Sequence, residues 1–374
     1  MKIIISLNTA WNLLNFRAGL IRALVARGHE VVAVAPDDAY AASLPELGCR
    51  FVALPMDNRG THPGRDLLLW WRFLRLFRRE RPDIYLGYTV KPNVFGSLAA
   101  HLLGIPVINN IAGLGAVFIN DGWVTKVVRA LYRLALKRSV KVFFQNGDDR
   151  RLFVDGGLVD AGLTELLPGS GIDLVRFSPR LAQRDGCFRF LLIARMLWDK
   201  GVGEYVRAAE LLRQRWPNTE FCLLGFVDVL NPAAISRAQM EAWVAQGSIV
   251  YLGVSDDVRD QIANADCIVL PSYREGTPRT LLEAAAMAKP IVATDAVGCR
   301  EVVDDGSNGF LCRVRDADDL AEKMARMLSL TERQRREMGV RGRQKMEAEF
   351  DEQRVIAKYL RAIDAILESR QGGR

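Results

Sequence analysis

Short apolar runs alternate with amphipathic stretches along almost the whole chain. KIIISLN reads as a strand, Phe16–Arg27 as a helix and EVVAVAP as a strand. Phe51–Leu54 is a short strand, and Arg65–Arg81 is a helix that Pro82 ends. DIYLGY, PVINNIA and KVFFQN follow as strands, separated by helices over Val94–Leu103 and Trp123–Arg138. The rhythm breaks over Leu166–Arg189, where PGSG, SPR and DG mark a linker. It then restarts: FRFLLIA, EFCLLG, IVYLG, CIVLP, PIVATD and Gly309–Cys312 as strands, with helices between them and to the end.

Strand–helix alternation of this kind predicts an α/β fold with parallel, doubly wound sheets. One break in the middle predicts two similar domains, residues 1–175 and 176–350, with a tail over 351–374. In such sheets ligands bind beyond the carboxyl ends of the strands. Two such domains facing a cleft would place their chemistry in the loops just after each strand.

Composition narrows the class. The chain has 374 residues, 49% hydrophobic and 25% charged, which suits two globular domains and excludes disorder, collagen and coiled coil. No apolar run approaches the ~18 residues of a membrane span. The start, MKIII, lacks the long apolar core of a signal peptide, so a cytoplasmic location is expected. Six cysteines, at 49, 187, 222, 267, 299 and 312, form no CxxC pair and read as reduced, mostly buried thiols. With only three histidines, at 29, 62 and 101, a histidine-rich metal site or a Ser-His-Asp triad is not expected.

Charge adds one point. The net charge is +7, and the excess lies in the first half: residues 1–180 hold 23 Lys and Arg against 15 Asp and Glu, and the rest hold 28 against 29. An anionic partner is therefore expected there: membrane surface, diphosphate or nucleic acid. The basic stretches lack the base-stacking or helix-turn-helix signals of nucleic-acid binding, so no nucleic acid is expected.

The sharpest chemistry follows two strands of the second half. After CIVLP come Glu275 in a loop and Glu283 in the next helix, eight residues apart. Such carboxylates can accept hydrogen bonds from polyol hydroxyls, or can be a solvated loop residue and a surface helix residue. Between them Gly276-Thr277-Pro278 leads into a helix N-terminus, which favours phosphate. After FRFLLIA come Arg195 and Lys200-Gly201, two cations suited to a diphosphate if they are not simply surface charges. Together these describe a nucleotide-diphosphate-sugar site. Asp316-Ala317-Asp318 precedes a helix and reads as a cap rather than a metal site.

The Arg–Lys pair with E-x7-E resembles retaining glycosyltransferase family 4, of GT-B fold. The segments YTVKPNVFGSLAA, IAGLG, FFQNGDD, GSGID and LLIARMLWDKGVGEY resemble its capsule and O-antigen branch, which includes bacterial GalNAc transferases acting on undecaprenyl-diphosphate-linked sugars. The resemblance implies two Rossmann-like domains, acceptor-binding then donor-binding, with the last helix crossing back onto the first. It implies that Arg195 and Lys200 hold the donor diphosphate, that Glu275 contacts the donor sugar, and that Glu283 takes the ribose hydroxyls. Gly276, Thr277 and Pro278 would touch sugar and phosphate, and Gly253-Val254 would lie against the base. It further implies a UDP-sugar substrate, no metal and no other cofactor, since the two cations would neutralise the diphosphate.

The chain departs from the family in two places. The loop after the first strand, Ala10–Asn15, has no Gly-Gly pair, and Asn109-Asn110-Ile111-Ala112 stands where many members carry a histidine. Backbone near Gly113–Gly115 is then expected to face the reacting carbon. For the acceptor's diphosphate the candidates are Arg17 and Lys91, with Asn93 as a helix cap; each can equally be a salt bridge or cap. In the helix Arg65–Arg81, Leu67, Trp70, Trp71, Leu74 and Phe77 share a face, and Arg72, Arg75 and Arg79 share the polar one. This helix and the basic Trp123–Arg138 either pack on the sheet or lie on an anionic membrane surface. The leading expectation is a transferase using a polyprenyl-diphosphate-linked acceptor, peripheral on the inner face of the bacterial membrane. The alternatives are a UDP-sugar epimerase or hydrolase of the same fold, and a transferase with a soluble acceptor.

Overall fold

The computed structural model describes residues 1–57, 62–113, 123–181, 186–229 and 231–372. It divides into two units. Met1–Ser170 and Glu352–Arg374 form one, and Gly171–Asp351 the other. The first crossing lies a few residues earlier than the linker pattern predicts. Ile172 and Phe177 are buried in the core of the second unit, so apolar burial assigns their segment to it.

Unit 1 carries seven strands: β1 Lys2–Ser6, β2 Glu30–Ala35, β3 Arg50–Ala53, β4 Ile84–Tyr88, β5 Val107–Ile111, β6 Lys141–Phe144 and β7 Thr164–Leu166. All pair in parallel, in the order β3-β2-β1-β4-β5-β6-β7. Central strands such as IYLGY are buried at every position, which is why they read as unbroken apolar runs. β7 was hidden in the sequence because its three residues, TEL, are half exposed at a sheet edge.

On one sheet face pack the helices Pro63–Glu80, Ser97–Leu102 and Trp123–Leu136. On the other pack Ala10–Phe16, Ala18–Ala26 and the C-terminal Glu352–Gly372. Where the sequence predicts one helix over Phe16–Arg27 after a loop at Ala10–Asn15, two separate helices form. In fact Thr9 caps a separate helix, its hydroxyl accepting from Asn12 N at 3.1 Å, and Arg17 is the break. The tail is held by Val355, Ile356, Tyr359, Ile363 and Ile366, one helical face against this core. Tyr359 also accepts a hydrogen bond from Asn110 Nδ2 at 2.9 Å.

Unit 2 has β8 Phe188–Ile193, β9 Thr219–Leu224, β10 Val250–Tyr251, β11 Cys267–Leu270, β12 Ile291–Thr294 and β13 Gly309–Cys312. They are parallel, in the order β10-β9-β8-β11-β12-β13. In each sheet the order reverses once, between β1 and β4 and between β8 and β11. Those switch points are where side chains from two loops meet with an open gap between strands. Five of the six thiols are buried and Cys187 is half-buried; all are free. Asp316 caps the helix Ala317–Ser329, accepting from Asp319 N at 2.9 Å.

Candidate active site

At the β8/β11 switch point the chain is drawn tight by glycine. Lys200 closes a short turn, Trp198–Lys200, and Gly201 follows at φ +71°. A Cβ on Gly201 would lie 2.1 Å from the Pro271 carbonyl oxygen, so only glycine lets this turn press against the end of β11. Asp199 O then accepts from Tyr273 N at 3.0 Å and from the Ser272 hydroxyl at 3.3 Å. On its far side the same loop is held by Glu275 N, which donates to Val297 O at 2.9 Å.

These contacts bring Lys200 and Glu275 together in an ion pair, with side chains 17% and 15% exposed. Sequence spacing does not show this pairing: 75 residues separate the two. Arg195, just past β8, has an exposed side chain with no ion pair among the described residues. Gly276 and Thr277 continue the loop into Pro278, the residue before the helix Arg279–Ala286. That helix is anchored on β8 by the Thr280 hydroxyl, which donates to Ile193 O at 3.1 Å.

Glu283 lies one turn into the helix and is paired with Arg279, Nε to Oε1 3.1 Å, the two side chains 15% and 13% exposed. Burial pushes the Glu283 carboxyl up from its ordinary value, and Arg279 beside it pulls it back down. Arg279 is the residue that sequence reasoning passed over. Beyond β10, Gly253 has φ +78° and its carbonyl accepts from Gly225 N at 2.8 Å, and Val254 is exposed. Gly253-Val254 thus stands at the carboxyl edge of the same sheet. A cavity of about 600 Å³ lined by Cys187, Arg213 and Glu220 lies at the opposite edge, where the strands begin, and contains none of these residues.

Unit 1 treats its candidates differently. Lys91 follows β4 and pairs with Asp66 at 2.8 Å, the side chains 15% and 16% exposed. Thr89, between β4 and Lys91, has φ +59°. A β-branched residue there is strained by ~1–3 kcal/mol, and strain of this size clusters at functional sites; no residue pattern around Thr89 signals it. Arg17 is 4% exposed, its guanidinium 4.4 Å from the centroid of the Tyr88 ring. Asn93 is a correction: it caps nothing. It is fully buried inside a helical turn, Pro92–Gly96, donating to Asn110 O and accepting from Asn109 Nδ2, both at 2.8 Å. Gly113, at φ +137°, ends the segment after β5, and Gly115 lies outside the described residues.

The Pro63–Glu80 helix also differs in detail. Its packed face is Leu69, Phe73, Leu74, Leu76 and Phe77, with Trp70 half-buried; Leu67 and Trp71 face outward, 64% and 48% exposed. Arg72 donates to Pro55 O at 2.6 Å and Arg79 pairs with Glu80 at 3.0 Å. Arg75 lies over the Trp71 ring at 5.6 Å, and Arg78 is exposed without an ion pair among the described residues.

Two doubly wound parallel-sheet units in one chain make up the GT-B fold. Residues 16–170 match the family described as "Glycosyl transferase 4-like domain", and residues 187–330 match "Glycosyl transferases group 1". The chain belongs to these glycosyltransferases and carries both of their domains. It is 29% identical, over 95% of its length and 96% of the other's, to the N,N'-diacetylbacillosaminyl-diphospho-undecaprenol alpha-1,3-N-acetylgalactosaminyltransferase of Campylobacter jejuni. It is 23% identical, over 78% of its length and 76% of the other's, to the UDP-Gal:alpha-D-GlcNAc-diphosphoundecaprenol alpha-1,3-galactosyltransferase of Escherichia coli. In fold it is similar to sucrose-phosphate synthase of Thermosynechococcus elongatus, with TM-score 0.82, 18% identity and coverage of 99% and 100%. It is also similar to HepE of Anabaena, solved with UDP and glucose, with TM-score 0.78, 17% identity and coverage of 97% and 99%.

Proposed function

We propose that the protein moves an N-acetylhexosamine, most specifically GalNAc, from its UDP-sugar to a polyprenyl-diphosphate-linked saccharide, with retention at the anomeric carbon. The observation that carries the donor half is the convergence of Lys200, Glu275 and Glu283 at the β8/β11 switch point, with Arg195 exposed beside them. The two relatives, whose names specify undecaprenyl-diphosphate-linked acceptors, support the acceptor half.

In this reading Arg195 and Lys200 neutralise the departing diphosphate, Glu275 holds sugar hydroxyls and Glu283 holds the ribose. Gly276, Thr277 and Pro278 line sugar and phosphate, and Gly253-Val254 meets the base. The acceptor hydroxyl attacks the anomeric carbon from the side on which UDP leaves. As the new C–O bond forms the bond to phosphate breaks, and the hydroxyl proton passes to a phosphate oxygen. Positioning and charge stabilisation then supply the catalysis, and the cations take the role that a metal would otherwise fill. In unit 1, Lys91 beside the strained Thr89 is the stronger acceptor-phosphate candidate, since Arg17 is buried against the Tyr88 ring. A panel of UDP-sugars against polyprenyl-diphosphate mono- and disaccharides, read by mass spectrometry, tests the assignment. Transfer from UDP-GalNAc is expected. Rapid epimerisation or hydrolysis of UDP-sugar, with no transfer to any acceptor, would overturn it.

The same reading places the enzyme peripherally on the inner face of the cell membrane. Among the described residues no helix is long and apolar enough to cross one. The three helices on one face of the unit 1 sheet expose Leu67, Trp71, Leu102 and Leu134, and two of them also expose Arg75, Arg78 and Lys126. Exposed apolar side chains on helices that also carry exposed cations suit an anionic lipid surface. Co-sedimentation with anionic vesicles is expected, weakening as salt rises. Arg75→Glu with Arg78→Glu is expected to reduce it at least ~5-fold, at ~1 kcal/mol per charge near the surface, while activity on a short-chain soluble acceptor persists. Unchanged sedimentation would make these helices ordinary sheet-packing elements.

A further inference from the structure

The cation paired with Glu283 stands where helix energetics alone would not put it. Arg279 is the first residue of the helix Arg279–Ala286. A positive charge there opposes the helix dipole. A base four residues before an acid is also the poorer order for such a pair. The guanidinium is nonetheless largely buried and held from three sides. Nε bonds Glu283 Oε1 at 3.1 Å, Nη1 donates to Gly171 O at 3.1 Å, and the group lies 5.6 Å from the centroid of the Phe177 ring. Phe177 is itself 3% exposed, so the guanidinium rests on a fixed surface. Local rules broken at a buried, well-held residue point to a role in the site rather than in the helix.

We propose that Arg279 is a positioning residue for nucleotide-sugar binding: it fixes the Glu283 side chain and keeps that carboxylate charged, so that both oxygens can accept from the ribose hydroxyls. This rests on the reading of the β8/β11 switch point as the donor site. Among the described residues, the charged groups that act on Glu283 are Arg279, Arg176 and Asp257. Arg279 comes from its own helix, Arg176 from the segment that opens unit 2, and Asp257 from the loop after β10. Asp257 is bound by Arg259, whose hydrogen bond holds its carboxyl down to about 2, so it stays ionised throughout the working range. Burial raises Glu283 and Arg279 is the first of the influences that lower it. A carboxyl raised by its surroundings loses its charge as pH falls through its own midpoint. Without Arg279 that loss occurs at higher pH.

The test is calorimetry with UDP-GalNAc, whose diphosphate has no titrating proton near neutrality, from pH 5 to 8.5. For Arg279→Gln the acid midpoint of affinity is expected to move up by at least ~1 unit. Binding is then weakened up to ~10-fold at pH values below the wild-type midpoint and less than ~3-fold well above the variant's, since each unit is tenfold in the charged fraction. Arg279→Lys, which keeps the charge, is expected to recover most of the shift, and Glu283→Gln to remove the midpoint. A purely structural role would weaken binding equally at every pH. An unmoved midpoint in a folded Arg279→Gln protein would overturn the role of Arg279 alone. Failure of the wild-type protein to bind any UDP-sugar would overturn the donor-site reading beneath it.

Discussion

Arg195→Ala and Lys200→Ala are each expected to lower turnover by at least ~100-fold, the ~3–4 kcal/mol typical of one group that stabilises charge on a leaving group. Arg195 is the cleaner probe. Its side chain is exposed, with no ion pair to break among the described residues, so thermal stability should be unaltered. Lys200→Ala also strips Glu275 of its partner, and a few degrees of melting temperature are expected to go with the activity. Steady-state kinetics on both variants, beside melts followed by circular dichroism, separate the two effects. Full turnover in either variant would remove that cation from the mechanism.

Glu275→Gln is expected to slow sugar transfer by about 100-fold through the loss of hydrogen bonds that strengthen in the transition state. UDP itself should bind this variant no more weakly than the wild type, and about two- to tenfold more tightly. The reason is the Lys200–Glu275 ion pair of the free protein. The diphosphate must draw Lys200 away from a carboxylate, and removing that competitor is worth ~0.4–1.4 kcal/mol for a partly exposed pair. Glu283→Gln should do the opposite, weakening UDP while sparing the pair. Calorimetry with UDP decides it, and equal loss of affinity in both variants would contradict the separate roles.

Much of this was legible in the chain. Parallel strands buried on both faces write themselves as continuous apolar runs, so KIIIS, IYLGY, CIVL and IVAT could be placed without a structure. What stayed hidden was whatever lacks a burial signature. β7 is a half-exposed edge strand, and the helix Ala10–Phe16 is only two turns long, begun by a threonine that also suits a loop. The E-x7-E spacing was visible because a loop and the helix after it are contiguous in sequence. The partners of those glutamates were less so. Arg279 lies inside the motif and had one usable sign, a cation in the first helical turn.

The sequence by itself determined the two doubly wound domains, the residue types at the strand ends and the positive first half, because each of these is a property of composition and period. Only the tertiary structure decided that Lys200 meets Glu275 across 75 residues, that Asn93 is sealed in a polar network, and that Arg17 packs on the Tyr88 ring. It alone decided that Thr89 is forced into a left-handed turn and that Trp71 faces outward while Phe73 packs inward. The physical reason is common to all five. Chain order fixes which residues are neighbours in an element, whereas the register of parallel strands, set by burial over the whole sheet, fixes which loops share a switch point and which face of each helix the core leaves to solvent.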